Sequence, residues 1–307
     1  MGSSRLAKGF RARRIRVPWQ IRLAWLCAFL WALSLPLHAG DPLKDYRLEA
    51  AVYQWYGALD SGTLFESGKG HKLPFTLPEY QGTQGGGAHH ILAITPLLTD
   101  TPIPTAEPQA NSGSPLRASV SLEFLPPSPG DMTRGHYLEV TMHFDAALAL
   151  TALTTEAHEQ DDFDSRFRPS ADSNLIRALI YRWTAQLDSP DTPYPMGLPP
   201  FSRGASFMAP EKGIDNAADY LGYLASLQHQ SSRREIKNLI LQSSAEPGEY
   251  RVSFEYQWRA QNARGEEELS QIQVDMTLVV TNGQAVISAY RERFLPPVTD
   301  LGAEIRC

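Results

Sequence analysis

Cysteine is nearly absent from this chain: 307 residues hold two, Cys27 and Cys307. Cys27 lies in an apolar stretch near the amino terminus and leaves with it if that stretch is removed. The remaining thiol, Cys307, permits no intramolecular disulfide and no thiolate-built metal site. In an oxidising compartment it does permit a disulfide-linked dimer. Long apolar runs are missing too. Residues 23–35 are apolar over 13 positions, short of the ~20 that a membrane-spanning helix needs. Residues 1–22 carry Arg5, Lys8, Arg11, Arg13, Arg14, Arg16 and Arg22 and no acidic residue. A basic start, a short apolar stretch and a small residue at the boundary form the pattern of a signal peptide over 1–39, cut after Ala39. The expected address is periplasmic or secreted; the alternative is an uncleaved amino-terminal anchor.

Basic residues are scarce after that segment. It takes seven of the 28 and none of the 34 acidic residues, which leaves 21 against 34, a net charge of −13. Nucleic acid and anionic membrane surfaces, which select basic patches, are not expected partners. The acidic run Glu156, Glu159, Asp161, Asp162, Asp164 lacks the spacing of a calcium loop and reads as a solvated linker. Gly85-Gly86-Gly87 is not followed by lysine and a helix, so it is no phosphate loop. The histidines His71, His89, His90, His136, His143, His158 and His229 are scattered. His89 and His90 are adjacent on an expected strand and point to opposite faces, so they cannot join His143 in one metal site. No metal and no cofactor is implied.

What the chain does contain is a repeat. Tyr53-Gln54-Trp55-Tyr56-Gly57-Ala58-Leu59-Asp60-Ser61 returns 128 positions later as Tyr181-Arg182-Trp183-Thr184-Ala185-Gln186-Leu187-Asp188-Ser189. Leu48, Val52, Trp55 and Leu59 share one face of a helix over 46–59; Ile176, Ile180, Trp183 and Leu187 repeat that face over 173–187. A period of this length suits a whole small domain rather than a solenoid unit. Strand signals follow each helix. Residues 89–95, 116–124 and 138–144 alternate in the first half. In the second, 235–241, 250–258, 269–280 and 285–294 do so, with Thr281-Asn282-Gly283 as a hairpin turn. Val120-Ser121-Leu122-Glu123-Phe124 matches Val252-Ser253-Phe254-Glu255-Tyr256. The second half also holds an extra helix, 214–230, where the first has Gly/Pro-rich chain at 73–87 and a further loop at 101–115.

A helix followed by a curved antiparallel meander, with Ile236-Lys237-Asn238-Leu239 and Tyr256-Gln257-Trp258-Arg259-Ala260 on its strands, resembles the nuclear transport factor 2-like superfamily. This superfamily includes SnoaL-like cyclases and ketosteroid isomerases. The resemblance implies an α+β fold of two cone-shaped domains, each with amino-terminal helices packed in a curved antiparallel sheet. The first, degenerate copy spans 40–154, an acidic linker 155–172, the second copy 173–300 and a tail 301–307. It also implies a pocket between helices and sheet, for which Tyr53, Trp55, His143, Tyr181, Trp183, Tyr256 and Asp275 are the candidates. Duplication would make intramolecular a pairing that related single domains form through their sheets.

The family's Asp base and Tyr/Asp oxyanion pair do not map onto these residues one by one. Asp275 falls on the strand face opposite Ile272, Val274, Met276 and Leu278, outside the apolar layer. For want of an acid/base set, the residues favour an exported non-catalytic module that binds a small apolar ligand or a protein partner. The alternative is a SnoaL-like enzyme doing acid/base chemistry (isomerase, cyclase or dehydratase type) on a small hydrophobic substrate. A buried carboxylate facing a Tyr or His inside one cone discriminates the two.

Overall fold

In the computed structural model, a leading helix and a four-stranded antiparallel meander occur twice, with a further strand and helix between them in the second half. Residues 46–66, 88–97, 116–125, 135–160, 171–192, 194, 195, 197–211 and 213–296 are described. The first half begins with α1 (Tyr46–Asp60) and the single turn α2 (Thr63–Glu66). Its strands are β1 (Ala88–Pro96), β2 (Leu116–Leu125), β3 (Gly135–Phe144) and β4 (Leu150–Gln160). The second begins with α3 (Ala171–Asp188), then β5 (Phe201–Met208), α4 (Ala217–Ser226), β6 (Ser231–Ser243), β7 (Glu249–Gln261), β8 (Glu267–Thr281) and β9 (Gln284–Phe294). The expected signal segment, Cys27, Cys307, His71, residues 73–87 and 101–115, and Asp161, Asp162 and Asp164 of the expected linker lie outside the described residues. No described helix is long and apolar enough to cross a membrane.

The strands pair as a meander, β1-β2-β3-β4, and as a five-stranded sheet, β5-β9-β8-β7-β6. Two features depart from the sequence reading. Residues 155–160, assigned there to the linker, continue β4: Glu156 pairs with Glu139 and Glu159 with His136. And the second sheet is mixed, because β5 lies parallel to β9; residues 201–208 alternate too weakly to announce a strand. The extra helix is shorter than expected, starting after Asn216, whose side chain accepts the Asp219 N–H at 2.9 Å as an N-cap. The β8–β9 turn is the one the sequence announced. Asn282 and Gly283 both take positive φ, 50° and 68°, as a two-residue type I′ hairpin requires.

Each sheet buries one face. Ala118, Val120, Leu122, Phe124, Leu138, Val140 and Met142 point inward in the first half; Val252, Phe254, Tyr256, Ile272, Val274, Met276 and Leu278 do so in the second. Bulges at Ile91/Ala93, Lys237/Ile240 and Thr277/Leu278 bend the ladders, and the helical stripes fill the inner faces. Leu48, Val52 and Leu59, and Ile176, Ile180, Trp183 and Leu187, are all at most 1% exposed.

The halves meet through α1 and α3 rather than through their sheets. The contacts are reciprocal, as in a two-fold dimer. Near the start of α1, the Tyr46 hydroxyl accepts the Ile236 N–H of β6 at 2.9 Å. At the matching position of α3, 128 residues on, Asn174 Nδ2 donates to the His89 carbonyl of β1 at 3.1 Å. The helices therefore run antiparallel, each start beside the other's end. Tyr181 sits between Tyr46 and Tyr53, ring centroids 5.5 and 5.4 Å away. Where the helices cross, a Cβ on Gly57 would stand 2.8 Å from the Leu175 side chain and 3.0 Å from its backbone nitrogen. Gly57→Val therefore has no room, and we expect it to cost about 1–3 kcal/mol, read as a lowered urea midpoint. An unchanged midpoint would show that the helices cross elsewhere.

Candidate functional site

The repeated Leu-Asp-Ser helix exits place one carboxylate in each half against the first strand of its meander. In the first half, Asp60 Oδ2 accepts the His89 backbone N–H at 3.1 Å, and Oδ1 lies 2.5 Å from His89 Nδ1. The two side chains are 1% and 0% exposed. A third donor comes from the other half: Asn174 Nδ2 reaches Asp60 Oδ2 at 3.3 Å. With the carboxylate as acceptor, Nδ1 carries an imidazole proton. Tyr56 and Phe124 hold the ring, both at centroid distances of 4.7 Å. Phe124 in turn stacks on its cross-strand partner His136 at 6.4 Å. His136 is only half-buried, so this row of rings runs from the buried pair toward solvent.

The second half builds the same joint with a different residue. Asp188 Oδ2 accepts the Arg234 backbone N–H at 3.0 Å, and Oδ1 accepts Arg234 Nη1 at 2.8 Å. Arg234 is 1% exposed, and its guanidinium also donates to the Leu187 carbonyl at 2.9 Å. Its charge is held by Asp188 against the opposing effect of burial. A guanidinium stays protonated, so the Asp188–Arg234 pair braces helix to strand and cannot shuttle a proton. Only the first half carries an imidazole at this joint.

Deeper in the second half lies a second buried carboxylate. Glu292, 2% exposed, accepts the Tyr220 hydroxyl at 2.5 Å and the Tyr290 hydroxyl. Nearby, the Tyr256 and Thr184 hydroxyls share a bond of 2.8 Å. Burial pushes the Glu292 carboxyl above its ordinary range, opposed by Arg234 and the two tyrosine donors. A raised folded pKa means that the folded chain holds the proton more tightly than the unfolded one. The stabilisation is then complete below the ordinary Glu value of about 4.3 and is lost as pH rises toward the folded value. Glu292→Gln cannot ionise. Urea unfolding of both proteins from acid to neutral pH is expected to show the wild type losing stability relative to the variant. A difference that does not change with pH would mean that folding leaves the affinity of Glu292 for its proton unchanged.

The seven residues singled out in the sequence fall in four places. Tyr53 and Tyr181 pack at the α1–α3 contact, and the half-buried Trp55 packs against the first core. Trp183 and Tyr256, both 0% exposed, fill the second core; Trp183 packs edge-on against Phe201, Phe207 and Tyr290. His143 and Asp275 stand on the outward faces of their sheets, Asp275 accepting the Ser253 hydroxyl at 3.1 Å. The structure brings together instead Asp60, His89 and Asn174, none of them among the seven. A signal was present: His89-His90-Ile91 occupies the register of Arg234-Glu235-Ile236, after the same Asp-Ser exit.

No protein-family model and no curated protein matches the chain. Solved structures similar to it include a nuclear transport factor 2-like superfamily protein from Salmonella enterica subsp. enterica serovar Typhimurium. That pair is 13% identical, covering 41% of this chain and 92% of that one, with a TM-score of 0.34. Another is hexachlorocyclohexane dehydrochlorinase LinA-type3 from Novosphingobium barchaimii, 11% identical over 41% and 88% of the two chains, TM-score 0.35. A third is an uncharacterized protein with a cystatin-like fold from Caulobacter vibrioides, 13% identical over 41% and 91%, TM-score 0.32. The chain has an α+β fold of helices and sheets, and each of these solved structures matches about two-fifths of it.

Proposed function

We propose that the first half is an acid/base catalyst acting on a small hydrophobic substrate, in an exported protein. The observation that carries this is the Asp60–His89 pair, a buried carboxylate 2.5 Å from a buried imidazole nitrogen. The sequence argument for a purely binding module rested on the lack of such a set.

In this reading Asp60 fixes the tautomer and stabilises the imidazolium that forms, and the His89 imidazole takes a proton from the substrate and returns it. Three donors on Asp60, one of them Asn174 from the other half, hold that geometry before substrate arrives. The rings of Tyr56 and Phe124 suit an apolar substrate. Proton abstraction beside a carbonyl, as in an isomerase, cyclase or dehydratase, is the reaction class. The test is wash-in of deuterium from heavy water into a set of apolar cyclic ketones, followed by proton NMR. Exchange above the buffer rate is expected, and its absence across the set would overturn the reading.

Export is tested separately by sequencing the amino terminus of protein recovered from periplasm or medium; a start at Gly40 is expected. A second reading, a module that binds a small apolar ligand or protein partner without chemistry, is favoured by an open groove on the outer face of the second sheet. Native mass spectrometry of the recovered protein would reveal a retained ligand, partner or Cys307-linked dimer.

A further inference from the structure

The outer face of the five-stranded sheet carries a groove of about 650 Å³, within the size range of small-ligand sites. Its floor is a cross-strand row that touches all five strands. Ile240 on β6 pairs with Ser253 on β7, Ser253 with Asp275 on β8, Asp275 with Arg291 on β9, and Arg291 with Met208 on β5. The row is polar in the middle and apolar at both ends. Met208 and Ile240 are 49% and 53% exposed, among the few large apolar side chains left in water among the described residues. Arg251, one row along on β7, adds a second guanidinium to the same groove.

The polar centre is asymmetric in charge. Asp275 is oriented by the Ser253 hydroxyl, and Ser253 in turn accepts from Gln273 Nε2 at 2.9 Å. Among the described residues no salt bridge engages Arg251 or Arg291, although Arg291 is the cross-strand partner of Asp275. Two guanidinium groups and one carboxylate leave one positive charge in the groove, on a chain whose net charge is −6. Guanidinium forks match the geometry of a carboxylate, and an anion gains there what the rest of the surface denies it.

We propose that this groove is a ligand site, separate from the Asp60–His89 pair, for a small amphipathic monocarboxylate. Its carboxylate is taken by Arg251 and Arg291, and its apolar arm lies along Met208 or Ile240. The face commits to this occupant by charge and size: a chain of ordinary length would need more apolar surface than two isolated side chains supply.

Sodium decanoate, below its micelle concentration, is the probe, with its methyl ester and butyrate as controls, titrated into the intact protein by calorimetry. The expected result is decanoate binding that weakens at least tenfold in Arg251→Gln/Arg291→Gln. The ester should bind at least tenfold more weakly, butyrate more weakly than decanoate, and deuterium wash-in by the double variant should be unchanged. Circular dichroism establishes that the variant is folded. No binding at millimolar decanoate, equal affinity for the ester, or equal affinity in the double variant would each overturn the proposal. So would sedimentation showing self-association that the double substitution abolishes, because the face would then be an interface between copies.

Discussion

With glutamine in place of His89, deuterium wash-in is expected to fall by about 10²–10⁴-fold, the contribution of a positioned general base, while the protein stays folded. Glutamine retains a polar group facing Asp60 and cannot take up a proton near neutral pH. Asp60→Asn is expected to lose a similar factor by another route. The amide can donate to Nδ1 and turn the imidazole to the wrong tautomer, with the ring still stacked between Tyr56 and Phe124. A merely structural role predicts something else: lower thermal stability in both variants and exchange per folded molecule as in the wild type. That outcome would reduce Asp60–His89 to the brace that Asp188–Arg234 forms in the second half. Asn174→Ala separates the contributions further. It removes one of three donors to Asp60, so a partial loss of turnover with an altered pH profile is expected.

Truncating Trp183 to alanine is expected to cost about 3–5 kcal/mol, enough to leave much of a marginally stable protein unfolded near physiological temperature. Trp183 is 0% exposed, and three aromatic rings meet its faces and edges. Trp55, its counterpart in the repeat, is only half-buried, so Trp55→Ala is expected to cost well under half as much. Trp183→Phe supplies the control. It keeps a ring in the cavity and removes an indole N–H that is buried without an acceptor among the described residues, so its cost is expected to be small. Urea unfolding of the three variants checks the order. Equal losses for Trp55→Ala and Trp183→Ala would mean that the two halves bury their repeated tryptophans alike.

The contrast between those tryptophans shows how far the chain could be read without coordinates. Helical spacing placed Leu48, Val52 and Leu59 on one buried stripe and Ile176, Ile180 and Leu187 on the other, because a 3.6-residue period needs no partner to be visible. Strand alternation did the same for 250–258 and 269–280, and put Asp275 on the outward face, where it stands. Residues 201–208 and the continuation of β4 past 154 could not be read. Edge strands owe their place to a neighbouring ladder more than to their own pattern. Among the histidines, adjacency on a strand correctly separated His89 from His90, which turns outward to Glu123. It could not reveal that His89 points at a helix end 29 residues earlier.

The sequence by itself determined a duplicated helix-and-meander architecture, an acidic chain behind a basic, apolar start, and which strand faces are wet. Periodicity, composition and charge are local quantities that survive in a one-dimensional string. Only the tertiary structure decided that Asp60, His89 and Asn174 converge, that Arg234 takes the imidazole's place in the other half, and that Ile240, Asp275, Arg291 and Met208 share one row. Such meetings depend on how two antiparallel helices cross and on strand register, and a single bulge or one-residue slip changes both without altering any local pattern.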